Sequence, residues 1–343
     1  MTKDDMERIS QESYELPNNV LRAVPSPVVS VRTPTYNHGA FIQQCIESVL
    51  AQKTEFPIEY VIGEDFSTDP TRGLVFDYAG RYPDTIRVIT ADRNVGSKAN
   101  GYRMGAACRG KYIAWLDGDD YWTDPRKLQK QVDFLEAHPE CSMCFHRYET
   151  RFEDGSSPPH VSSVPPDRSV FTLKDLLRWD FVGTLTVMFR RRPTQELPDW
   201  YYELPIGDWP LHILNAQYGD IGYIDSVMAV HRVHGAGMWS SASQVKRAKA
   251  VLQIYQHLRT YLGPRYQQTI KTRMARAYLA LAAAYADEEN IGEARQNFRK
   301  SVGEWPVNEP TQVLGVMALA LRLYTPRVYS VLKSIWRLAT ASL

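Results

Sequence analysis

Four apolar, β-branched runs alternate with helix-like patterns in the N-terminal part of the chain, and this alternation constrains the fold more than any other feature. The runs comprise residues 28–33, 58–63, 86–90 and 112–116. Patterns typical of amphipathic helices follow them at residues 40–52, 70–82, 98–107 and 125–137. Strands that alternate with helices form mostly parallel sheets covered by helices on both faces. The sequence therefore predicts an α/β fold with a doubly wound sheet.

A polar, turn-forming segment follows each of the four predicted strands. These segments read PTYNHG, EDFSTD, DRNVGS and DGDDYW. Ligands of such sheets bind beyond the carboxyl ends of the strands, where these segments come together. We therefore expect the chemistry of the chain to reside in them.

The segment Asp117-Gly118-Asp119-Asp120 follows the apolar strand KYIAWL. Three carboxylates at a strand end repel one another unless a cation or hydrogen-bond donors compensate. Two aspartates two positions apart, with Gly118 allowing close backbone approach, suit a hard divalent cation that also bridges two phosphate oxygens. A plain polar turn is the alternative, but the preceding strand and the aromatic pair Tyr121-Trp122 favour a binding site.

The second polar segment contains Asp65, placed at the end of a neighbouring strand. A carboxylate there can accept the N3–H of a uracil ring or the equivalent donor of another base. Asp69, just before the next predicted helix, is better explained as a helix cap.

Composition excludes several classes of function. Lys plus Arg total 40 against 39 for Asp plus Glu, so no overall field recruits nucleic acid or an anionic membrane. The N-terminus lacks the basic start and apolar run of a signal peptide, and a cytoplasmic protein is expected. Four scattered cysteines indicate reduced thiols, and Cys141 and Cys144 are predicted to be buried in a strand rather than to bind a metal.

The chain is predicted to comprise an extension (residues 1–27), a catalytic region (28–240) and a C-terminal helical region (241–343). Within the catalytic region, residues 28–150 form the first half, and 151–240 add loops around strands at 184–189 and 223–230 and a helix at 209–217. In the helical region, residues 275–308 resemble one tetratricopeptide repeat. An ordinary helical hairpin and a partner-binding module both remain open.

The C-terminal tail combines an apolar run, residues 313–321, with the basic residues Arg322, Arg327, Lys333 and Arg337. At ~1.5 Å per residue the run is too short to cross a bilayer core of ~30 Å. A terminal helix that covers the core is favoured over a basic amphipathic segment lying peripherally on the inner face of the membrane, and both remain open.

The ordered motifs VSVRTPTYNHGAFIQQCIESVLAQ, IGEDFSTD and NVGSKANGYRMGAACRGKYIAWLDGDDYW resemble glycosyltransferase family 2. The resemblance covers residues 28 to about 240. It implies a GT-A fold, an inverting mechanism and a nucleotide-sugar donor, with a UDP-sugar favoured. The acceptor would be a hydroxyl of a glycan, a lipid-linked molecule or a small molecule, and no nucleic-acid partner is expected.

The resemblance also assigns roles to individual residues. Thr35 and Tyr36 would line the nucleoside pocket, Asp65 would hold the base, and Asp117 would contact ribose or metal-bound water. Asp119 would ligate the metal, Mn²⁺ or Mg²⁺. The remaining donor-binding candidates are Gly118, Asn94 and Lys98, of which Lys98 departs from the usual family pattern.

The second half supplies three further family-like segments, FVGTLTVMFRR, IGDW and HRVHGAGMW. Asp208 in IGDW would be the base that takes the proton from the acceptor hydroxyl. His234 would be a further metal ligand, with only one of His231 and His234 ligating. Trp209 and Trp239 are candidates for contact with the acceptor, and a core role is equally compatible with Trp239.

Two other classes of protein share features with a sugar transferase. A nucleotidyltransferase also places carboxylates on an α/β sheet, but it usually opens with a Gly-rich, basic phosphate loop, which PTYNHGAF is not. An inactive transferase domain that serves as an adaptor through its helical tail would be expected to have lost Asp65, Asp117, Asp119, Asp208 or His234. All five are present.

Overall fold

A computed structural model describes residues 2–17, 26–164, 168–192, 197–235, 237, 242–304 and 313–329. The chain divides into two compact units, residues 1–237 and residues 238–343. The first unit carries every predicted site residue except Trp239, which lies outside the described residues.

The first unit is built on one mixed sheet. Its strands are β1 Tyr14–Glu15, β2 Val29–Thr35, β3 Ile58–Glu64, β4 Ile86–Thr90, β5 Tyr112–Trp115, β6 Tyr121–Trp122, β7 Cys141–Phe152, β8 His160–Val161, β9 Val170–Phe171, β10 Met188–Arg190 and β11 Asp220–Val233. Their order is β1-β4-β3-β2-β5-β10-β7-β11-β6, and β8 and β9 pair with β7 and β11. β4, β3, β2 and β5 run parallel, whereas β10 is antiparallel to both of its neighbours.

The helices of this unit are α1 Lys3–Gln11, α2 Ile42–Leu50, α3 Thr71–Arg81, α4 Ser97–Ala107, α5 Lys127–Ala137, α6 Leu173–Arg178, α7 Asp199–Glu203 and α8 Asp208–Asn215. Apolar side chains from α2, α3 and α5 pack with the β-branched and aromatic residues of the central strands into one buried core. The mixed sheet with flanking helices confirms the predicted fold class. Because β2, β3, β4 and β5 are parallel, their carboxyl ends lie at one edge, where the polar segments meet.

The structure differs from the sequence predictions in three places. The N-terminal extension contains α1, whose start is capped by Thr2 and Asp5, and β1, which pairs with β4. β2 continues through Pro34 to Thr35 because Pro34 lacks only an N–H and its carbonyl still accepts a bond from Gly118. Residues 184–186 form a 3₁₀ turn rather than the start of a strand.

The second unit is helical. It contains α9 Gln244–Tyr261, α10 Gln267–Asp287, α11 Ile291–Glu304 and α12 Val313–Tyr324. α10 and α11 form a hairpin around Glu289, which has a positive φ of 59°, and the hydroxyl of Ser301 donates to the carbonyl of Ala275 across it. The repeat-like residues of the hairpin are buried: Tyr278, Leu281, Ala282, Tyr285, Ala294 and Phe298.

Two other sequence expectations concern cysteines and the membrane. All four cysteines are free and buried, and burial was predicted for Cys141 and Cys144. Within the described ranges, no helix has both the length and the apolar composition that spanning a bilayer requires. Lys333 and Arg337 of the basic tail lie outside the described residues.

Candidate active site

The Asp117–Asp120 segment forms a tight turn at the end of β5. The amide of Asp120 donates to the carbonyl of Asp117 at 3.0 Å. The indole of Trp115 donates to Oδ1 of Asp117 at 3.0 Å, and the amide of Arg232 donates to Oδ1 of Asp120 at 2.8 Å. These donors therefore fix the side chains of Asp117 and Asp120, whereas the side chain of Asp119 accepts no hydrogen bond from them.

Two imidazoles converge on the carboxylate of Asp119. Nε2 of His234 lies 3.0 Å from its Oδ2, and Nε2 of His38 lies 3.9 Å from the same atom. The ring of Phe41 packs against His234, with ring centroids 4.7 Å apart. The structure thus brings together Asp119 and His234, which were singled out from the sequence, and adds His38, which was not.

The turn concentrates negative charge. Burial, together with the charges of Asp119 and Asp208, raises the pKa of Asp117 to about 7. Burial and the charges of Asp119 and Asp117 likewise raise the pKa of Asp120 well above its usual value. Burial alone would raise the pKa of Asp119 as well, but the hydrogen bond from His234 and the charge of His38 lower it overall. Of the three carboxyls of the turn, Asp119 is the one whose pKa is lowered.

Arg232 secures the turn from β11. Its Nη1 donates to the carbonyl of Asp119 at 2.7 Å, its Nη2 donates to Gln44, and its Nε lies 3.3 Å from Glu153. The guanidinium also stacks over Tyr121, 4.4 Å from the ring centroid. Sequence reasoning missed this residue, although it lies within the HRVHGAGMW segment.

The segments after β2 and β3 are bonded to each other. The amide of Gly39 donates to Asp69 at 2.8 Å, and the amide of Asn37 donates to the hydroxyl of Ser67 at 3.0 Å. Asp69 also accepts from the amide of Thr71 at the start of α3, which is the capping role predicted for it. Thr35 is 2% exposed and bonded to His38, whereas Tyr36 is 43% exposed.

Asp65 organises the segment after β4. Its two carboxylate oxygens accept from the amides of Val95 and Gly96 at 2.8 and 2.9 Å, and the side chain of Asn94 donates to its carbonyl at 3.1 Å. With these bonds made, Asp65 is 2% exposed. The burial and these hydrogen bonds favour a structural role for Asp65 and Asn94, in addition to any contact with a base. Nζ of Lys98 donates to the carbonyl of Tyr202 at 2.8 Å.

Asp208 is the first residue of α8 and lies within electrostatic range of Asp117, because its charge contributes to the raised pKa of Asp117. The hydroxyl of Thr184 donates to Oδ2 of Asp208 at 2.9 Å. Trp209, the next residue, is 4% exposed and its indole donates to the carbonyl of Leu176. This position favours core packing for Trp209 over contact with an acceptor.

The residues around Asp119 fit a divalent cation that a substrate helps to hold. No group of three or more His, Cys, Asp or Glu side chains in the described part of the chain forms a ready-made metal site. Asp119 and His234 offer one oxygen and one nitrogen close together. Mg²⁺ is usually held by one or two carboxylates together with substrate phosphates and water, and Mn²⁺ accepts similar ligands with imidazole.

The comparisons with known proteins place the first part of the chain in a family. Residues 30–196 match the family model for glycosyl transferase family 2, so the chain contains a domain of this family. The uncharacterised protein Rv1520 of Mycobacterium tuberculosis is 39% identical over 225 residues, which cover 64% of this chain and 62% of that protein. The chain therefore spans less than two thirds of the length of this relative.

A second relative covers more of its own length. A Bacillus subtilis protein named for teichuronic acid biosynthesis, the glycosyltransferase TuaG, is 29% identical over 234 residues, which cover 68% of this chain and 88% of that protein.

Solved structures share the fold. The crystal structure of S. aureus TarS in complex with UDP-GlcNAc has a TM-score of 0.52 at 18% identity and covers 80% of this chain and 88% of that chain. The structure of the mannosyltransferase PcManGT from Pyrobaculum calidifontis, in complex with GDP-Man and Mn²⁺, has a TM-score of 0.55 at 19% identity. The match covers 93% of this chain and 86% of that chain. These likenesses show that the chain has the GT-A fold.

Gly118 tests how tightly the turn is packed. A Cβ at this position would lie 2.8 Å from Nδ1 of His38 and 2.8 Å from Oγ1 of Thr35. We expect Gly118→Ala to lower the free energy of unfolding by about 1–3 kcal/mol and to weaken ligand binding at the turn. Gly73→Ala is the control, because an added Cβ there meets nothing within 4 Å and favours the helix. Equal melting temperatures for the two variants would contradict the tight packing.

Proposed function

We propose that the chain transfers a sugar from a uridine diphosphate sugar to an acceptor hydroxyl, with inversion at the anomeric carbon. The observation that carries this proposal is the pairing of Asp119 with His234, 3.0 Å apart, on a turn near enough to Asp208 for the charge of Asp208 to raise the pKa of Asp117. A donor's diphosphate would lie at Asp119 and His234, and its sugar would extend toward Asp208. The match to glycosyl transferase family 2 supports the same reaction class.

In the proposed reaction, Asp119, His234 and Tyr36 bind and orient the sugar donor. Asp119 and His234 would hold Mn²⁺ or Mg²⁺, which supplies positive charge to the diphosphate oxygens when bound. The exposed ring of Tyr36 would pack on the nucleoside. The PcManGT structure is described as a complex with Mn²⁺, which supports a divalent cation in proteins of this fold.

Asp208 performs the proton transfer in the proposed reaction. Its carboxylate accepts the proton of the acceptor hydroxyl while the hydroxyl oxygen bonds to the anomeric carbon. The bond from that carbon to the diphosphate oxygen breaks on the opposite face, and the electron pair leaves with the nucleoside diphosphate. A single displacement of this kind inverts the configuration of the anomeric carbon.

Release of UDP from UDP-sugars, measured with and without EDTA, tests the proposal. We expect release that depends on an acceptor and that EDTA abolishes and added Mn²⁺ restores. Nucleotide binding without turnover across a broad acceptor panel would instead support the adaptor role. Turnover that EDTA leaves unchanged would contradict the role of the metal.

Thr184 is proposed to position the base, because its hydroxyl donates to Asp208. Two hydrogen bonds hold the 3₁₀ turn that carries Thr184. The indole of Trp122 donates to the carbonyl of Leu185, and the side-chain amide of Gln131 donates to the carbonyl of Thr186. A hydrogen bond to a charged group contributes ~1.5–3 kcal/mol, so we expect Thr184→Val to lower kcat about tenfold or more. Thr184→Ser should restore most of the activity.

The kinetic pattern separates this role from a general loss of structure. Thr184→Val should leave the donor KM and the melting temperature close to those of the parent, because the side chain is isosteric. If Thr184→Val and Thr184→Ser lowered kcat by the same factor, the result would contradict a role for the hydroxyl.

A further inference from the structure

Arg32 is a buried cation at the centre of the sheet. It lies on β2, is 6% exposed, and its guanidinium carbon sits 3.9 Å from the ring centroid of Trp115. Gly101 and Gly105 of α4 make room for its two terminal nitrogens. Its Nε donates no hydrogen bond, and its guanidinium forms no direct ion pair with a described residue; its charge acts at longer range on the carboxyl of Asp117, whose raised pKa it partly lowers. A guanidinium does not lose its proton in a protein, so this charge is permanent.

The other buried arginines of the unit are occupied. Arg103 donates to the side chain of Asn100 at 2.9 Å and to the carbonyl of Glu64 at 2.9 Å. Arg232 donates to the carbonyl of Asp119 and to Gln44. Buried charges in proteins are normally paired or bind a ligand, because removing them from water is costly. The stack on Trp115 compensates only part of this cost for Arg32.

Arg32 lies between the Asp117–Asp120 turn and the segment that carries Asp208. The ring of Trp115 on which it stacks donates its indole N–H to Asp117 at 3.0 Å. Burial raises the pKa of the Tyr201 hydroxyl and the charge of Arg32 opposes this shift, so Arg32 lies within electrostatic range of that hydroxyl. The hydroxyl of Tyr201 donates to the carbonyl of Gly207, the residue before Asp208. Arg32 is therefore near the turn and near the proposed base.

We propose that Arg32 binds a carboxylate on the transferred sugar, so that the donor is a uridine diphosphate uronic acid. This inference rests on the proposed function and specifies its substrate class. A guanidinium presents paired N–H donors that match the two oxygens of a carboxylate. A neutral sugar offers hydroxyl groups but no charge to balance a buried cation.

The surroundings favour the sugar rather than the diphosphate as the source of the anion. The diphosphate is assigned to Asp119 and His234, which lie with His38 and Phe41. Arg32 instead lies with Trp115 and Tyr201, on the side that leads to Asp208. A carboxylated sugar that enters a cleft lined by Asp117, Asp119 and Asp208 would be repelled without a nearby cation.

Calorimetric titrations with UDP-glucuronate, UDP-glucose and UDP in Mn²⁺ test the proposal. The first two ligands share the base and the diphosphate, so their affinity ratio reports the carboxylate alone. We expect the parent protein to bind UDP-glucuronate about 10- to 100-fold more tightly than UDP-glucose. In Arg32→Met the ratio should fall to within about twofold while the affinity for UDP stays unchanged. Arg32→Lys should retain part of the preference.

Three outcomes would overturn the proposal. The parent protein could show no preference for UDP-glucuronate, and this result needs no variant and stands even where Arg32→Met fails to fold. Arg32→Met could weaken all three ligands equally, which would assign Arg32 to the diphosphate or to packing. The preference could also survive in a folded Arg32→Met. Binding of UDP by the parent without a preference would remove only this inference, whereas absence of UDP binding would also remove the proposed function.

Discussion

Asp208→Asn is expected to lower kcat by about 10²–10⁴-fold, because the amide cannot accept the proton of the acceptor hydroxyl. Asn is nearly isosteric with Asp and can still accept the hydrogen bond that Thr184 donates to Oδ2. The affinity for UDP should therefore change little, which separates loss of chemistry from loss of the fold. Single-turnover transfer of a radiolabelled sugar and calorimetric binding of UDP measure the two properties.

Asp77→Asn is the matched control for this experiment. Asp77 has a side chain that is 62% exposed and pairs with Arg81 on the surface of α3, so its neutralisation should leave kcat unchanged. If Asp208→Asn retained more than a tenth of the parent kcat, Asp208 would not be the base.

Asp119→Asn is expected to reduce both turnover and Mn²⁺ affinity in the presence of UDP, each by at least about 100-fold. The physical reason is the loss of the ionised carboxylate beside His234. Against the effect of burial, His234 and His38 lower the pKa of Asp119 overall, so its charge stabilises the folded state and the metal-free variant should melt somewhat lower than the parent while staying folded.

Electron paramagnetic resonance of free Mn²⁺ measures this affinity directly, and Asp77→Asn again serves as the control. A variant that binds Mn²⁺ and UDP as the parent does would exclude Asp119 as a ligand.

The elements that local pattern specifies were predictable. β4 has the predicted bounds, and the strands before each polar segment differ by one or two residues, because each is a short apolar run closed by a turn. The start of α1 could also be predicted from the sequence, since Thr2 and Asp5 form a capping box. Residues 1–27 as a whole are acidic and contain several prolines, a composition that does not indicate a helix.

The parts that depend on long-range pairing were not predictable from local pattern. The position of β10 between β5 and β7 follows from antiparallel pairing with strands far apart in the chain. The parallel pairing of β11 with β7 carries Arg232 and His234 to the turn. His234 was found only through family-like motif order.

Two functional candidates carried no local signal. His38 belongs to a polar segment in which any residue fits a turn, and its approach to Asp119 exists only once β2 and β5 are neighbours. Thr184 reaches Asp208 across 24 positions. Arg32 did carry a local signal, because a charged residue that interrupts an apolar strand is an anomaly in the pattern.

The central claim is that a divalent cation at Asp119 and His234 joins the protein to the diphosphate of a nucleotide sugar. The most direct measurement is the melting temperature of the parent protein with UDP, in Mn²⁺ and in EDTA, since a ligand that binds only the folded state raises it in proportion to its affinity. We predict a rise with UDP in Mn²⁺ and none in EDTA. An equal rise in both conditions would contradict the claim.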